Sequence, residues 1–233
     1  MNTKINYNLQ DGNALVLAVS RNLTLLTEKG FQTETQTALN AAIADLTAKE
    51  REQNIAVKAL EDFTAEQNLA VKETKALISK IYMAAKSAYE NDQRNLSQFK
   101  VGQRIPDSVN GLRSLCEYLQ VVVAERSVLL LKSGLVQSDV TALNGAAARI
   151  VDADKAQEDA KKLQEQATLV RDTSDKALKK VKTKLRNFIK AAFQGNKEIL
   201  LQFEKIPKGG GGKGDTKPDD TTKPDTPTPP PAS

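Results

Sequence analysis

The sequence predicts an all-α protein, an elongated bundle of helices built from two copies of one pattern. Three observations carry that expectation. Aromatic residues make up only 4% of the 233 positions and tryptophan is absent, while Ala, Leu, Lys, Glu and Gln, which lose little side-chain freedom in a helix, dominate. Displacing the chain by 104 residues aligns 30–99 with 134–203 without a gap, and 20 of those 70 positions are identical, against about five for unrelated chains of ordinary composition. Finally, two stretches of more than fifty residues contain no proline, and their one glycine, Gly145, falls in the opening turns of the second.

The elements follow in order. Gly12 to Lys29 reads as a short amphipathic helix closed by Gly30, and Thr35 to Glu90 as a long one, with Thr33 and Thr35 available as caps. The pattern recurs as a short helix over Ser108 to Lys132, closed by Gly134, and a long one over Asp139 to Gln194, with Ser138 or Asp139 capping. Within the first long helix Leu39, Leu46, Leu60 and Ile81 fall on a seven-residue grid whose other points are Gln53, Gln67 and Thr74. That is a coiled-coil-like packing seam with polar interruptions, in which the glutamines either are tolerated at an edge or fix register across it.

A helix of about 56 residues is about 84 Å long, while the short helices reach only about 27 to 38 Å. The arrangement expected is therefore four columns: two parallel long helices and two composite columns, in which "NDQRNLSQF" and its copy "GNKEILLQF" each turn back and stack below a short helix. A pseudo-twofold would run along the bundle axis. The alternative is a compact six-helix cluster with both long helices broken near Asp62 and Arg171. Residues 1–208 are read as one bundle of two repeats, about 12–104 and 108–208. Residues 209–233, rich in Gly, Pro, Thr, Asp and Lys, are read as a disordered tail. Its "GGGGKGDT" lacks the GK[ST] ending of a phosphate loop and follows helix rather than strand.

Composition excludes much chemistry. There is no histidine and one cysteine, which removes His/Cys zinc sites, His-bearing triads, histidine-ligated haem and internal disulfides. Cys116 lies among apolar residues in "LRSLCEYLQVV" and reads as a buried, inert thiol. The acids of Asp152, Asp154, Glu158 and Asp159 read as a solvated helix face laced by Lys155 and Lys162. No catalytic residue, cofactor site or metal site is assigned, and the chain is read as not an enzyme. The N-terminus has no continuous apolar core of a secretion signal, which points to the cytoplasm, and the most apolar run, Val121 to Leu131, is too short to span a bilayer.

Charge placement is the remaining signal. Lys/Arg and Asp/Glu number 13 and 12 over residues 1–104, 18 and 13 over 105–208, and 3 and 4 beyond. "KALKKVKTKLRNFIK" over 176–190 is basic throughout, with Leu178, Val181, Leu185, Ile189 and Ala192 as its inward stripe. Lys176, Lys179, Lys180, Lys184, Arg186 and Lys190, joined at the same level by Lys72, Lys75 and Lys80 of the other repeat, form the candidate surface for an anionic partner. A protein partner or self-association is the expected use, in a non-enzymatic structural or interaction role. The alternatives are a membrane-active, pore-forming-like protein that releases the helix around Val121 to Leu131, and weak nucleic-acid binding through the basic end. The scarcity of aromatics argues against stacking on bases.

Overall fold

The computed structural model describes residues 3–207; the tail from 209 on lies outside the described residues. The described residues form seven helices and no strand: α1 (Thr3–Arg21), α2 (Leu23–Glu28), α3 (Thr33–Ala88), α4 (Gln93–Gln98), α5 (Val109–Lys132), α6 (Gln137–Ala192) and α7 (Lys197–Gln202). Both long helices, α3 and α6, run unbroken for 56 residues, so the six-helix alternative is not the one adopted. The boundaries of α3 and α4 reappear 104 residues on as those of α6 and α7, and α5 ends 104 residues after α2.

Two glycines end helices as expected. Gly30 and Gly134 have φ of +85° and +102°, a conformation only glycine adopts cheaply. The following amides of Phe31 and Leu135 donate back to the carbonyls of Leu26 and Leu130, closing the turn as in a Schellman motif. α1 differs from expectation, because it begins at Thr3 rather than near Gly12 and is divided from α2 at Asn22. Asn22 donates its side-chain amide both to the Ala18 carbonyl and to Gln202. At the equivalent place α5 continues through Arg126, which reaches Gln98 instead. Gly12 is placed for closeness, since a Cβ there would stand 3.1 Å from Ile43 of α3.

The long helices are antiparallel, which corrects the expected parallel pair. Glu50 faces Arg171, Gln67 faces Asp154, Glu73 faces Arg149 and Lys80 faces Asp139, so one number falls as the other rises. The repeat displacement carries the Glu50–Arg171 pair onto Asp154–Gln67. The pseudo-twofold therefore crosses the rod at its middle instead of running along it. Nor do composite columns form: each short helix covers one end. Ile5, Leu15, Val19 and Leu26 of α1 and α2 pack with Leu39 and Leu46 of α3 and Leu178, Leu185 and Ile189 of α6. At the other end Leu112, Leu119, Val123 and Leu130 of α5 pack with Ile78, Ile81 and Ala85 of α3 and Leu143 and Ile150 of α6. Leu15/Leu119, Val19/Val123 and Leu26/Leu130 are identical across the repeat and buried in both cores.

Between the two cores lies a waist in which α3 and α6 pack on each other alone. The seven-residue grid is the seam, as expected: Leu39, Leu46, Gln53, Thr74 and Ile81 are buried, and Leu60 and Gln67 are half-buried. Gln67 donates to Asp154 Oδ1 at 2.6 Å, so this glutamine does bond across the seam and penalises a slip in register. Small groups such as Ala56, Thr64, Ala160 and Ala167 fill the waist and need no third helix. We expect small-angle scattering of a chain truncated after residue 207 to give a longest dimension of about 85 Å, from 56 residues at 1.5 Å rise. A value near half that would contradict the unbroken rod.

Candidate functional site

The antiparallel pairing separates the nine candidate cations. Lys72, Lys75 and Lys80 belong to the α5 end, and Lys176 to Lys190 to the α1 end, so the two sets occupy opposite ends of the rod rather than one level. At the α5 end Lys72 is exposed with no ion pair among the described residues, and the other two are matched. Lys75 pairs with Asp107, Lys80 with Asp139 at 2.6 Å, and Glu73 with Arg149 at 2.6 Å.

At the α1 end the lysines recur and the acids do not. Lys72, Lys75, Lys80 and Lys86 return as Lys176, Lys179, Lys184 and Lys190, whereas Asp107, Asp139 and Glu73 correspond to Thr3, Thr35 and Ala177. Lys179 finds Asp175 one turn back on its own helix. Lys176, Lys180, Lys184 and Lys190 are exposed, with no ion pair among the described residues. A shallow groove of about 470 Å³ runs over Lys179, Lys180, Thr183, Lys184 and Asn187.

Arg186 leaves the candidate face altogether. It is half-buried and grips Asp11 with two hydrogen bonds, at 2.7 and 3.1 Å, and donates to the Phe203 carbonyl at 3.0 Å. Lys182, absent from the sequence-derived candidates, lies 2.8 Å from Asp11 and donates to the Asn8 carbonyl at 3.1 Å. Asn8 in turn donates to Asp175. The position of Lys182, four residues after Leu178 and three before Leu185, was a signal that it faces inward. Its repeat counterpart is the buried Ile78.

This is a buried ion network: Asp11 and Lys182 are 2% and 4% exposed. Burial raises the Asp11 pKa, but the hydrogen bonds from Arg186 and Lys182 outweigh it and hold the carboxyl below its usual value. For Lys182 burial dominates and pulls the ammonium down despite Asp11. The network also fixes the C-terminal segment, since the Ile206 amide donates to Asp11 at 3.3 Å and the Tyr7 hydroxyl to the Ile206 carbonyl at 2.8 Å. Its counterparts at the α5 end are all apolar or aromatic: Asn8, Asp11, Asp175, Lys182 and Arg186 correspond to Leu112, Leu115, Val71, Ile78 and Tyr82.

Cys116 is fully buried, and desolvation pushes its thiol up to about 11, consistent with an inert packing group. Among the described residues no cluster of carboxylates and cysteine is arranged to hold a metal ion, and no helix is long and apolar enough to cross a membrane. Compared with known proteins, the chain matches no family model, no curated protein and no solved structure.

Proposed function

We propose that this chain is a non-enzymatic interaction protein: a stiff helical spacer that presents one lysine face, on the C-terminal half of α6, to an anionic partner surface. The observation that carries the reading is the one-sided loss of counter-acids. Of the four lysines kept across the repeat, Lys75 and Lys80 meet Asp107 and Asp139 at the α5 end, whereas at the α1 end Lys184 has no such partner among the described residues and Lys179 is held only by Asp175 of its own helix. Within a chain that has duplicated itself, the α5 end is the internal standard for how such lysines look when they only decorate a helix. Open like-charged side chains repel one another, a cost that an incoming anionic surface reverses.

The test uses a fluorescent polyglutamate peptide as the probe. Replacing Lys176, Lys180, Lys184 and Lys190 by glutamine is expected to weaken binding about tenfold or more while leaving the helical signal and melting unchanged, because these side chains are exposed. Replacing Lys75 and Lys80, which Asp107 and Asp139 neutralise, should change it little. Equal losses from the two ends would remove the reading.

A membrane-active role is the second reading, and the outward exposure of Val121, Val128 and Leu129 on α5 is the observation that favours it. Dye leakage from anionic vesicles separates the two, because docking through lysines alone leaves vesicles sealed. Duplex nucleic acid as the anionic partner would show binding that falls steeply with salt whatever its sequence.

A further inference from the structure

We propose that the partner of the lysine face is an extended acidic peptide segment that anchors itself by one aliphatic side chain in a pocket at the end of that face; the proposal rests on the reading of the face given above. The pocket, of about 420 Å³, lies between the last turns of α6 and the stretch from α7 to Lys205. Its volume falls in the range of ligand sites. Ile189, Leu200 and Phe203 form its apolar wall, and Arg186, Lys190, Glu204 and Lys205 complete the lining. Lys190 and Lys205 are exposed, with no ion pair among the described residues.

The repeat shows what such a pocket holds. At the α5 end the residues corresponding to Leu200, Phe203 and Lys205 are Leu96, Phe99 and Val101. Lys100 has φ of +54° there, the one non-glycine residue with positive φ among the described residues, in a sparsely populated backbone conformation. The turn lets the Val101 amide donate back to the Leu96 carbonyl at 3.4 Å, and Val101 packs half-buried against the α5 core. At the α1 end Glu204 does not make that turn, and Lys205 stands at the position of Val101. Ile206, the next aliphatic residue, is drawn away by its bonds to Asp11 and Tyr7 and does not line the pocket. The chain therefore fills this place with its own valine at one end and leaves it open at the other.

Charge around the opening selects the rest of the occupant. α6 carries no acid over 176–190 apart from none at all on its exposed side, and Glu204 is the single carboxylate lining the pocket. Lys176, Thr183 and Lys190 recur at intervals of seven and so fall on one line along α6. Thr183 borders the groove over Lys180 and Lys184, and Lys190 borders the pocket, so the groove leads into the pocket. From Lys176 to Lys190 is about 21 Å of helix rise, the reach of about six extended residues.

An acidic peptide laid along this line meets the open lysines with its carboxylates and sets an aliphatic side chain against Ile189, Leu200 and Phe203. The Leu200 carbonyl corresponds to the one that accepts from Val101, so an amide of the peptide has the same acceptor to reach. Burial of the anchor supplies affinity that salt does not weaken. The lysines supply attraction that salt does weaken, and they set the direction of approach.

Fluorescence anisotropy of the full chain with labelled polyglutamate, and with polyglutamate ending in valine at one terminus or the other, tests it. We expect one of the valine-bearing peptides to bind about tenfold more tightly than polyglutamate, from the burial of one aliphatic side chain. L200W, which fills the pocket, and K205V, which installs the residue found at the α5 end, should each bring that ratio close to one. In methyl NMR the valine-bearing peptide should shift Ile189 and Leu200 and leave Leu96 in place. Equal affinity for all the peptides, with binding still dependent on Lys176 to Lys190, overturns the anchor and leaves the lysine-face reading standing. Peptide binding that survives replacement of those lysines removes both. A ratio unchanged in L200W and in K205V overturns the pocket as the place of the anchor. A valine gain that appears only after truncation at 207 overturns the proposal in favour of the chain's own tail as occupant. Shifts of Ile189 and Leu200 with anionic vesicles and not with the peptide overturn it in favour of a lipid.

Discussion

Replacing Asp11 by alanine is expected to cost about 3–5 kcal/mol, because it strands Lys182 and the inner edge of Arg186 in a site built around a carboxylate. Urea denaturation measures it directly. The acid side of the same interaction has a definite sign. The folded Asp11 pKa lies below the usual 3.8, so its contribution is present above that value and is lost as the pH falls through the folded one. The alanine variant should lack this part of the acid transition. The repeat also supplies a repair. Carrying Leu112, Leu115, Val71, Ile78 and Tyr82 across as N8L, D11L, D175V, K182I and R186Y replaces the network by the apolar core that the α5 end already uses. Buried ion groups replaced together by well-packed apolar ones are often neutral or stabilising by about 1–4 kcal/mol. We therefore expect the fivefold variant to be at least as stable as the original, with the segment 203–206 cut more readily by protease because Asp11 and Arg186 no longer hold it. A fivefold variant less stable than D11A would show that the network contributes more than an apolar core can.

Truncating Phe99 to alanine should cost about 3–5 kcal/mol and act at one end only. Phe99 is fully buried and its ring lies 5.9 Å from that of Tyr89. Its repeat counterpart Phe203 is 3% exposed in the opposite core. The cores touch only through α3 and α6, across a waist without a third helix, so damage at one end has a poor route to the other. Hydrogen exchange should speed up over 109–132 in F99A and over 3–28 in F203A, each leaving the other region close to its original rate. Effects at separated sites should add in the double variant. Uniform acceleration along the whole chain in either single variant would show one cooperative unit rather than two ends on a common shaft.

Much of the fold was legible because helix propensity, capping glycines and seven-residue spacing are local properties. The absence of proline and the position of Gly30 and Gly134 set the lengths of α3 and α6, and the repeat displacement set the matching of one half to the other. The start of α1 was not legible. Its inward residues include Asn8 and Asp11, whose burial is stabilised by Asp175, Lys182 and Arg186 more than 160 positions away; an apolar-periodicity reading sees polar residues there and passes over the helix.

The nine basic positions could likewise be read off the chain, while their pairing could not. Whether Lys80 or Lys184 is neutralised depends on what stands across α3–α6, Asp139 in one case and Thr35 in the other. Ion pairing is a matter of distance in space, and the sequence supplies only the charges.

By itself, then, the sequence determined the two long helices and their lengths, the seam and the duplication, because helix propensity, helix ends and seven-residue spacing are properties of a few neighbouring residues. Tertiary structure decided the direction of packing, and the decision turned on a short connection. Residues 99–108 climb back along α3 until Asp107 reaches Lys75, and α5 then descends to Gly134. Those two traverses return the chain to the end where α3 stopped, so α6 must run antiparallel to it. A count of helices alone misses the climb, because the connection forms no helix of its own, and with it the parity of the fold.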